Sequence, residues 1–385
     1  MILQSFEEEL ERLRRADNLR RLPQTVHCGR EVEAEGRRML NLSSNDYLGL
    51  GTDEALRDGF FRTLTPETLL MTAASSRLLT GNFAVCEEVE AMLARLFGAE
   101  AALVFGSGYH MNAGILPAVA DAHTLILADK LVHASLIDGI RLSQARCIRF
   151  RHGDCGQLER LLERYHADFG RIIIVVESIY SMDGDVADLR CLADLKRRYA
   201  NVMLYVDEAH GIGVRGPRGL GVAEEQACIP EVDFLCGTFG KALASVGAYV
   251  VCRRTLREYL VNRMRTFIFT TALPPVNLLW TKFVLERLEG FADRRRHLEA
   301  ISRELREALA ADGRACPSAG HIVPLMVGDS GEAVLRAAGM QRQGFYVLPV
   351  RPPTVPEGTS RLRISLTAAV TREEVTRLIT CIKKL

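Results

Sequence analysis

The chain has 385 residues, in which 49 Lys and Arg nearly cancel 48 Asp and Glu. That length suits one large α/β domain beside a smaller one, and no like-charge block marks a nucleic-acid tail or a polybasic membrane patch. Its ten cysteines lie scattered without a Cys-x-x-Cys pair, the start Met1-Ile-Leu-Gln-Ser-Phe lacks a basic and apolar leader, and no run of about 18 apolar residues occurs; free thiols, a cytoplasmic location and small-molecule substrates are therefore expected.

In chain order, Leu3, Phe6, Leu10 and Leu13 recur at helical spacing among charges, which predicts a helical arm over residues 1–45 that lies against something larger. From residue 84 helices and strands alternate: helix 84–96, strand 101–105, helix 108–120, strand 124–128, helix 133–144, strand 146–150, helix 156–166, strand 171–176, helix 188–199 and strand 202–207. Such alternation predicts a mostly parallel sheet covered on both faces. The run Val246–Cys252 follows residue 241 too closely for a helical crossover and is expected to pair antiparallel. Pro274-Pro275 opens a long helical stretch to about 311 and marks the expected end of a large domain over 46–275. Residues 276–385, with short strands near 321–327, 345–349 and 361–366 and helices near 331–342 and 372–383, read as a small α+β domain.

Two apolar runs end abruptly in polar residues and glycine, the place where open α/β sheets put their chemistry. Val202–Val206 ends in Asp207-Glu-Ala-His210, and Val232–Cys236 leads through Gly-Thr-Phe-Gly to Lys241. A lysine used as a Schiff-base nucleophile needs a carbonyl partner; the commonest one held by proteins is pyridoxal phosphate, whose ring nitrogen calls for an acid such as Asp207. His210 is placed to hydrogen-bond the phenolic oxygen of that ring. Gly106-Ser-Gly108-Tyr109 lies between a strand and a helix, where free backbone N–H groups and the helix dipole favour a phosphate, and Thr238 offers a hydroxyl to the same group. A structural glycine turn, a threonine closing a turn and an Asp capping a helix would read the same one by one; their company with Lys241 favours the functional reading.

Other patterns fall away. Asp207 and His210 lack third and fourth ligands at suitable spacing, so no metal is expected. Gly211-Ile-Gly213-Val-Arg-Gly216 fits a dinucleotide string, yet Pro217, Gly219 and Gly221 make a following helix improbable. Gly237-Thr-Phe-Gly240-Lys241-Ala has too few residues between its glycines for a P-loop, and alanine where Ser or Thr would hold magnesium.

From Leu42 to the end the chain resembles the α-oxoamine synthase family of fold-type I pyridoxal-phosphate enzymes. The resemblance rests on Asn41-Leu-Ser-Ser-Asn-Asp-Tyr-Leu-Gly-Leu50, His133-Ala-Ser-Leu136, Glu177-Ser-Ile-Tyr-Ser-Met-Asp-Gly-Asp185, Asp207-Glu-Ala-His-Gly211, Thr238-Phe-Gly-Lys241 and Thr271-Ala-Leu-Pro-Pro275. It implies a seven-stranded, mostly parallel sheet between helices and a smaller α+β domain. In it Lys241 carries the cofactor, Asp207 pairs with the pyridine nitrogen, His210 and Ser181 sit beside the phenolic oxygen, and His133 stacks on the ring. Gly108 and Tyr109 match the phosphate cradle, Thr238 the phosphate hydroxyl, and Asn45 with Arg363 the grip on the amino-acid carboxylate. Arg20 and Thr354 match acyl-substrate contacts, although a solvated charge on the arm would equally account for Arg20. The family also implies a homodimer, with Thr270 and Thr271 reaching the neighbour's cofactor.

Arg351-Pro-Pro-Thr-Val-Pro356 and Arg361-Leu-Arg363-Ile-Ser-Leu-Thr-Ala368 look most like the branch that joins L-alanine to a pimeloyl thioester, on acyl carrier protein or coenzyme A. Branches using glycine or serine are the nearest alternative. A non-catalytic scaffold subunit is opposed by the retained Lys241, Asp207 and His210, and an NAD-dependent dehydrogenase has only the Gly211 string. Two departures from the family are Cys86, where relatives carry histidine, and Met111, where many carry alanine; both are expected to act on packing or acyl fit.

Overall fold

The computed structural model describes residues 2–385. The chain divides into two compact units, one made of residues up to 52, 181–185 and 296–385, the other of residues 53–180 and 186–295. The first unit starts with the helix Ile2–Arg15, stabilised along its surface by ion pairs from Arg12 to Glu9 and from Arg14 and Arg15 to Glu11. Within this chain its apolar stripe is left open, with Leu3 and Phe6 71% and 63% exposed. Strands β1 (Val26–Cys28), β2 (Glu31–Ala34) and β3 (Arg37–Asn41) then form an antiparallel meander turned at Gly29 and at Glu35-Gly36, all at positive φ. The sequence does not announce these strands, because they are short and mix charged residues with the few that are buried, Val32, Met39 and Leu40.

The second unit holds the predicted sheet. Its strands are β4 (Ala101–Phe105), β5 (Thr124–Asp129), β6 (Arg146–Phe150), β7 (Arg171–Glu177), β8 (Val202–Asp207), β9 (Phe234–Thr238) and β10 (Ala248–Cys252), in the spatial order β4-β10-β9-β8-β7-β5-β6. All neighbours run parallel except β10, which pairs antiparallel with both β4 and β9, as its short connection predicts. Ile172, Ile173, Ile174 and Val175 are fully buried, the mark of a strand covered on both faces. One face packs Leu103, Ile126, Val175, Tyr205 and Phe234 against Met111, Ile115 and Leu136 of the helices Gly108–Val119 and Ala134–Leu142. Both helices begin at the edge where β7, β8 and β9 end, so strand ends and helix N-termini converge there.

The chain returns to the first unit with β11 (Ile322–Gly328), β12 (Phe345–Tyr346), β13 (Pro349–Val350) and β14 (Ser360–Ser365). Strands β11, β14 and β13 make an antiparallel sheet, and β12 joins β3 in parallel. The expected single strand at 345–349 is thus two pieces serving two sheets. The division between units falls at 295/296 rather than at 275/276: the helix Pro275–Leu285 packs on the helix Ala84–Phe97 and stays with the large sheet, and residues up to 52 join the C-terminal elements instead of forming a separate arm. No helix among the described residues is long and apolar enough to cross a membrane.

After β8 the chain is tied around the fully buried Glu208. Its carboxyl group accepts from the Ser178 hydroxyl and, at 2.7 Å, from the Ala223 N–H, so the Gly211–Gly221 loop closes on it. Gly221 sits at φ +109°, and a Cβ there would come within 2.5 Å of that carboxyl carbon. Burial raises the Glu208 pKa from 4.5 to about 7. The folded state therefore keeps a proton that the unfolded chain releases, and stability from this group falls as pH rises from about 4.5 to 7. Glu208→Gln should remove that slope, so that its thermal midpoint relative to the parent rises between pH 5 and pH 8; an equal difference at both would refute the assignment. Glu208→Ala should cost about 2–5 kcal/mol in denaturant unfolding, since it strands two buried donors.

Candidate active site

In the second unit, β8 delivers Asp207 at its last residue, and the Ala209 N–H donates to its Oδ1 at 2.9 Å, turning the chain so that His210 follows at the sheet edge. Strand β9 ends at Thr238, and Phe239, Ala242 and Leu243, all fully buried, anchor the turn that carries Lys241. Lys241 Nζ lies 2.7 Å from His210 Nε2. One of the two must offer a lone pair at that distance, so ammonium and imidazolium do not coexist there.

Asp207 is only 5% exposed, and its second oxygen accepts from Asn112 Nδ2 at 2.7 Å. Directly beside it, in register on β7, stands Glu177, also buried. Burial first, and the Asp207 charge second, push the Glu177 carboxyl up to about 8; the His133 backbone N–H bonds to it, and its Oε1 has no hydrogen-bond partner among the described residues. The Asn112 amide and the Ala209 N–H both donate to Asp207, while burial and that neighbour favour the protonated form of Glu177. The sequence reading assigned no role to Asn112 or Glu177. Glu177 was legible in principle, as an acid closing an apolar strand beside another such strand.

His133 caps the helix Ala134–Leu142, its Nδ1 accepting from the Ser135 N–H at 3.2 Å. His133 is exposed as a residue, yet desolvation pulls its pKa below the usual histidine range, with Asp207 opposing that and Lys241 adding to it. The helix Gly108–Val119 is capped by Ser107, whose hydroxyl accepts from the His110 N–H. Gly108 closely faces Thr238, since a Cβ on Gly108 would lie 3.9 Å from Thr238 Oγ1. That hydroxyl donates to the Gly247 carbonyl and accepts from the Gly240 N–H. The cradle is thus an open helix N-terminus with a threonine at its rim, suited to a phosphate. The Tyr109 phenol donates to Asp138 at 2.6 Å, a bond that raises the phenol's pKa. Thr270 and Thr271 are not drawn to Lys241 within this chain: the Thr270 hydroxyl reaches only the adjoining Thr271 carbonyl. The two departures are packing residues, Cys86 in its helix and Met111 in the core, each 1% exposed. All ten cysteines are free, and among the described residues no group of three or more His, Cys, Asp and Glu side chains is disposed to hold a metal.

In the first unit, Arg363 on β14 gathers the remaining expected residues. Its guanidinium donates to Asn45 Oδ1 at 3.2 Å, to the Ser365 hydroxyl at 2.6 Å, to the Tyr47 phenol at 3.3 Å and, through Nε, to the Ser181 carbonyl at 2.6 Å. A planar cation braced in this way suits a carboxylate. Arg20 and Thr354 also meet, Nη2 to Oγ1 at 2.9 Å, next to Arg351, whose pKa is lowered by burial and then by the Arg20 charge.

Residues 37–382 match the family described as aminotransferase class I and II. A protein of Pasteurella multocida (strain Pm70), provisionally named 8-amino-7-oxononanoate synthase, is 52% identical over 385 residues, covering the whole of both chains. Among solved structures, serine palmitoyltransferase from S. paucimobilis, with bound PLP-myriocin aldimine, aligns with a TM-score of 0.90 at 29% identity over 99% of this chain and 96% of its own. The 8-amino-7-oxononanoate synthase of Francisella tularensis aligns with a TM-score of 0.75 at 27% identity over 90% and 97%. The family match over residues 37–382 and the 52% identity across both whole chains lead to one conclusion: the chain belongs to the class I and II aminotransferase family and, within it, to the α-oxoamine synthases.

Proposed function

We propose that this chain is a pyridoxal-phosphate-dependent acyltransferase of biotin synthesis, working in the cytoplasm as a homodimer. It condenses L-alanine with a pimeloyl thioester, on acyl carrier protein or coenzyme A, and releases 8-amino-7-oxononanoate, carbon dioxide and free thiol. The observation that carries the reading is the Lys241 amine 2.7 Å from buried His210, following the strand end that holds Asp207. The choice of substrates is supported by the 52% identical relative and by the Arg351–Pro356 and Arg361–Ala368 segments. The dimer is supported by apolar residues left open on the second unit, among them Met71, Leu79 and Phe269, each more than two-thirds exposed. Thr270 and Thr271 are assigned to the neighbour's cofactor.

The residues present fit the cofactor: a charged acid for the ring nitrogen, an amine to form the imine, and a helix N-terminus with Thr238 for the phosphate. When bound, pyridoxal phosphate supplies an electron sink for the carbanion at the Cα of the amino acid. Lys241 Nζ, once freed from the cofactor as an amine, removes the Cα proton and later returns one. Asp207 holds a negative charge at the ring nitrogen, kept there by Asn112 and the Ala209 N–H. Gly108, Tyr109 and Thr238 take the phosphate, His133 covers the ring, and His210 and Ser181 serve its phenolic oxygen. Arg363 with Asn45 takes the amino-acid carboxylate; Arg20 and Thr354 take the far carboxylate of the pimeloyl group.

A second reading, a synthase that uses serine or glycine, is favoured by the higher TM-score to serine palmitoyltransferase, 0.90 against 0.75. Alanine, glycine and serine offered separately with pimeloyl-coenzyme A should give carbon dioxide release from the purified chain only with alanine; release with serine or glycine instead would transfer the assignment to a sister activity. Lys241→Ala should lose turnover and the visible absorption of the bound cofactor together, and survival of both would mean another lysine does the work. Arg20→Ala should raise the KM for the pimeloyl thioester about 10–100-fold, the loss of one charge-assisted contact, and change the KM for alanine far less. An equal rise in both would place Arg20 elsewhere.

A further inference from the structure

The hydrogen atoms around Asp207 can be counted outward, and the count ends on a histidine. Ionised Asp207 offers only acceptors, so the Asn112 side-chain atom 2.7 Å from it is the NH2 group. The other side of that amide, Oδ1, then receives the Tyr205 hydroxyl at 2.6 Å, and burial keeps that phenol protonated. The second Asn112 hydrogen goes to Ser135 Oγ at 2.9 Å. Ser135 Oγ also lies 2.8 Å from His133 Nδ1, and since the backbone N–H of Ser135 makes that nitrogen an acceptor, the hydroxyl directs its hydrogen there. The Ser135 backbone N–H donates to the same nitrogen at 3.2 Å. Two donors converge on Nδ1, which therefore carries no hydrogen.

The chain of contacts is dry and closely built. Asn112, Ser135 and Tyr205 are 2%, 1% and 0% exposed. Gly139, one turn after Ser135 on the same helix face, lets the neighbouring helix approach so closely that a Cβ there would stand 2.4 Å from the Asn112 carbonyl oxygen. That close approach accompanies the Asn112 amide's contacts with both Asp207 and Ser135. The groups acting on the imidazole are Asp207 on β8, Glu177 on β7 through the His133 backbone N–H, Asp138 on its own helix, and Lys241 after β9.

We infer that Asn112 and Ser135 are positioning residues that lock His133 as the neutral Nε2–H tautomer, so that it presents a hydrogen-bond donor on its open side. Such a donor suits an oxygen that gains negative charge, as a thioester carbonyl does when attacked. Only this use of the donor rests on the proposed function; the tautomer rests on the contacts alone. A protonated Nδ1 would face two other hydrogens, so the same lock resists the imidazolium form.

The test is ¹⁵N NMR of the full-length protein labelled in histidine, with and without added pyridoxal phosphate, the His133 signals identified by their loss in His133→Gln. The expected result is a hydrogen-free Nδ1 and a protonated Nε2 in both samples from pH 6 to 9. Ser135→Ala, which keeps the backbone donor and loses the hydroxyl, should loosen the lock and shift the imidazole titration upward, and Asn112→Leu should do the same while lowering kcat about 10²-fold with a smaller change in the KM for the amino acid. A protonated Nδ1 in the parent protein, or a Ser135→Ala variant with unchanged tautomer and titration, overturns the inference. If the tautomer is as stated but no condensation of alanine with a pimeloyl thioester is found, the lock stands and the proposed function fails.

Discussion

A negative charge held dry at the end of a parallel strand is the constraint around which this molecule is arranged. Removing a carboxylate from water is expensive unless hydrogen bonds and a countercharge take over from solvent. Here Asp207 has the Ala209 N–H and the Asn112 amide, while its neighbour Glu177 yields by keeping a proton. A charge stabilised to this degree, yet short of a full cationic partner, is poised to meet a pyridinium. The buried tie at Glu208 immediately after it keeps the following loop from drifting and so keeps His210 within reach of Lys241.

The large sheet could be read in the sequence almost residue by residue, because covered parallel strands are continuous apolar runs and the helices between them carry a clear period. Strands 101–105, 146–150 and 202–207 have the expected bounds, and β10 has the expected direction. Lys241, Asp207 and His210 stand out in the sequence for a related reason: polar residues that end an apolar run are conspicuous. Asn112 did not stand out, since one amide within a mostly apolar helix looks like any other, and its meaning comes from three partners distant in the chain. The meander β1–β3 escaped notice because its stability depends on pairing rather than on its own pattern. The Pro274-Pro275 pair misled about the division between units: proline starts a helix here, and which body a helix joins is decided by the side chains it buries.

The two units contribute different kinds of chemistry. The second holds titratable side chains, a lysine, two histidines and a pair of acids, grouped where parallel strands end and helices begin. The first supplies arginines braced by neutral oxygens, with Arg363 held by Asn45, Ser181, Tyr47 and Ser365 and Arg20 set on Thr354. Rigid guanidinium forks recognise carboxylates by geometry and keep their charge at any physiological pH.

Gly139 shows how far such an arrangement reaches into residues that meet no substrate. Its missing side chain sets the spacing of two helices, and that spacing brings a serine and an asparagine into one line with an acid. Selection on the reaction would therefore be felt at a position with no functional group of its own. In a saturation survey of variants, this buried hydrogen atom should prove nearly as intolerant of replacement as the lysine itself.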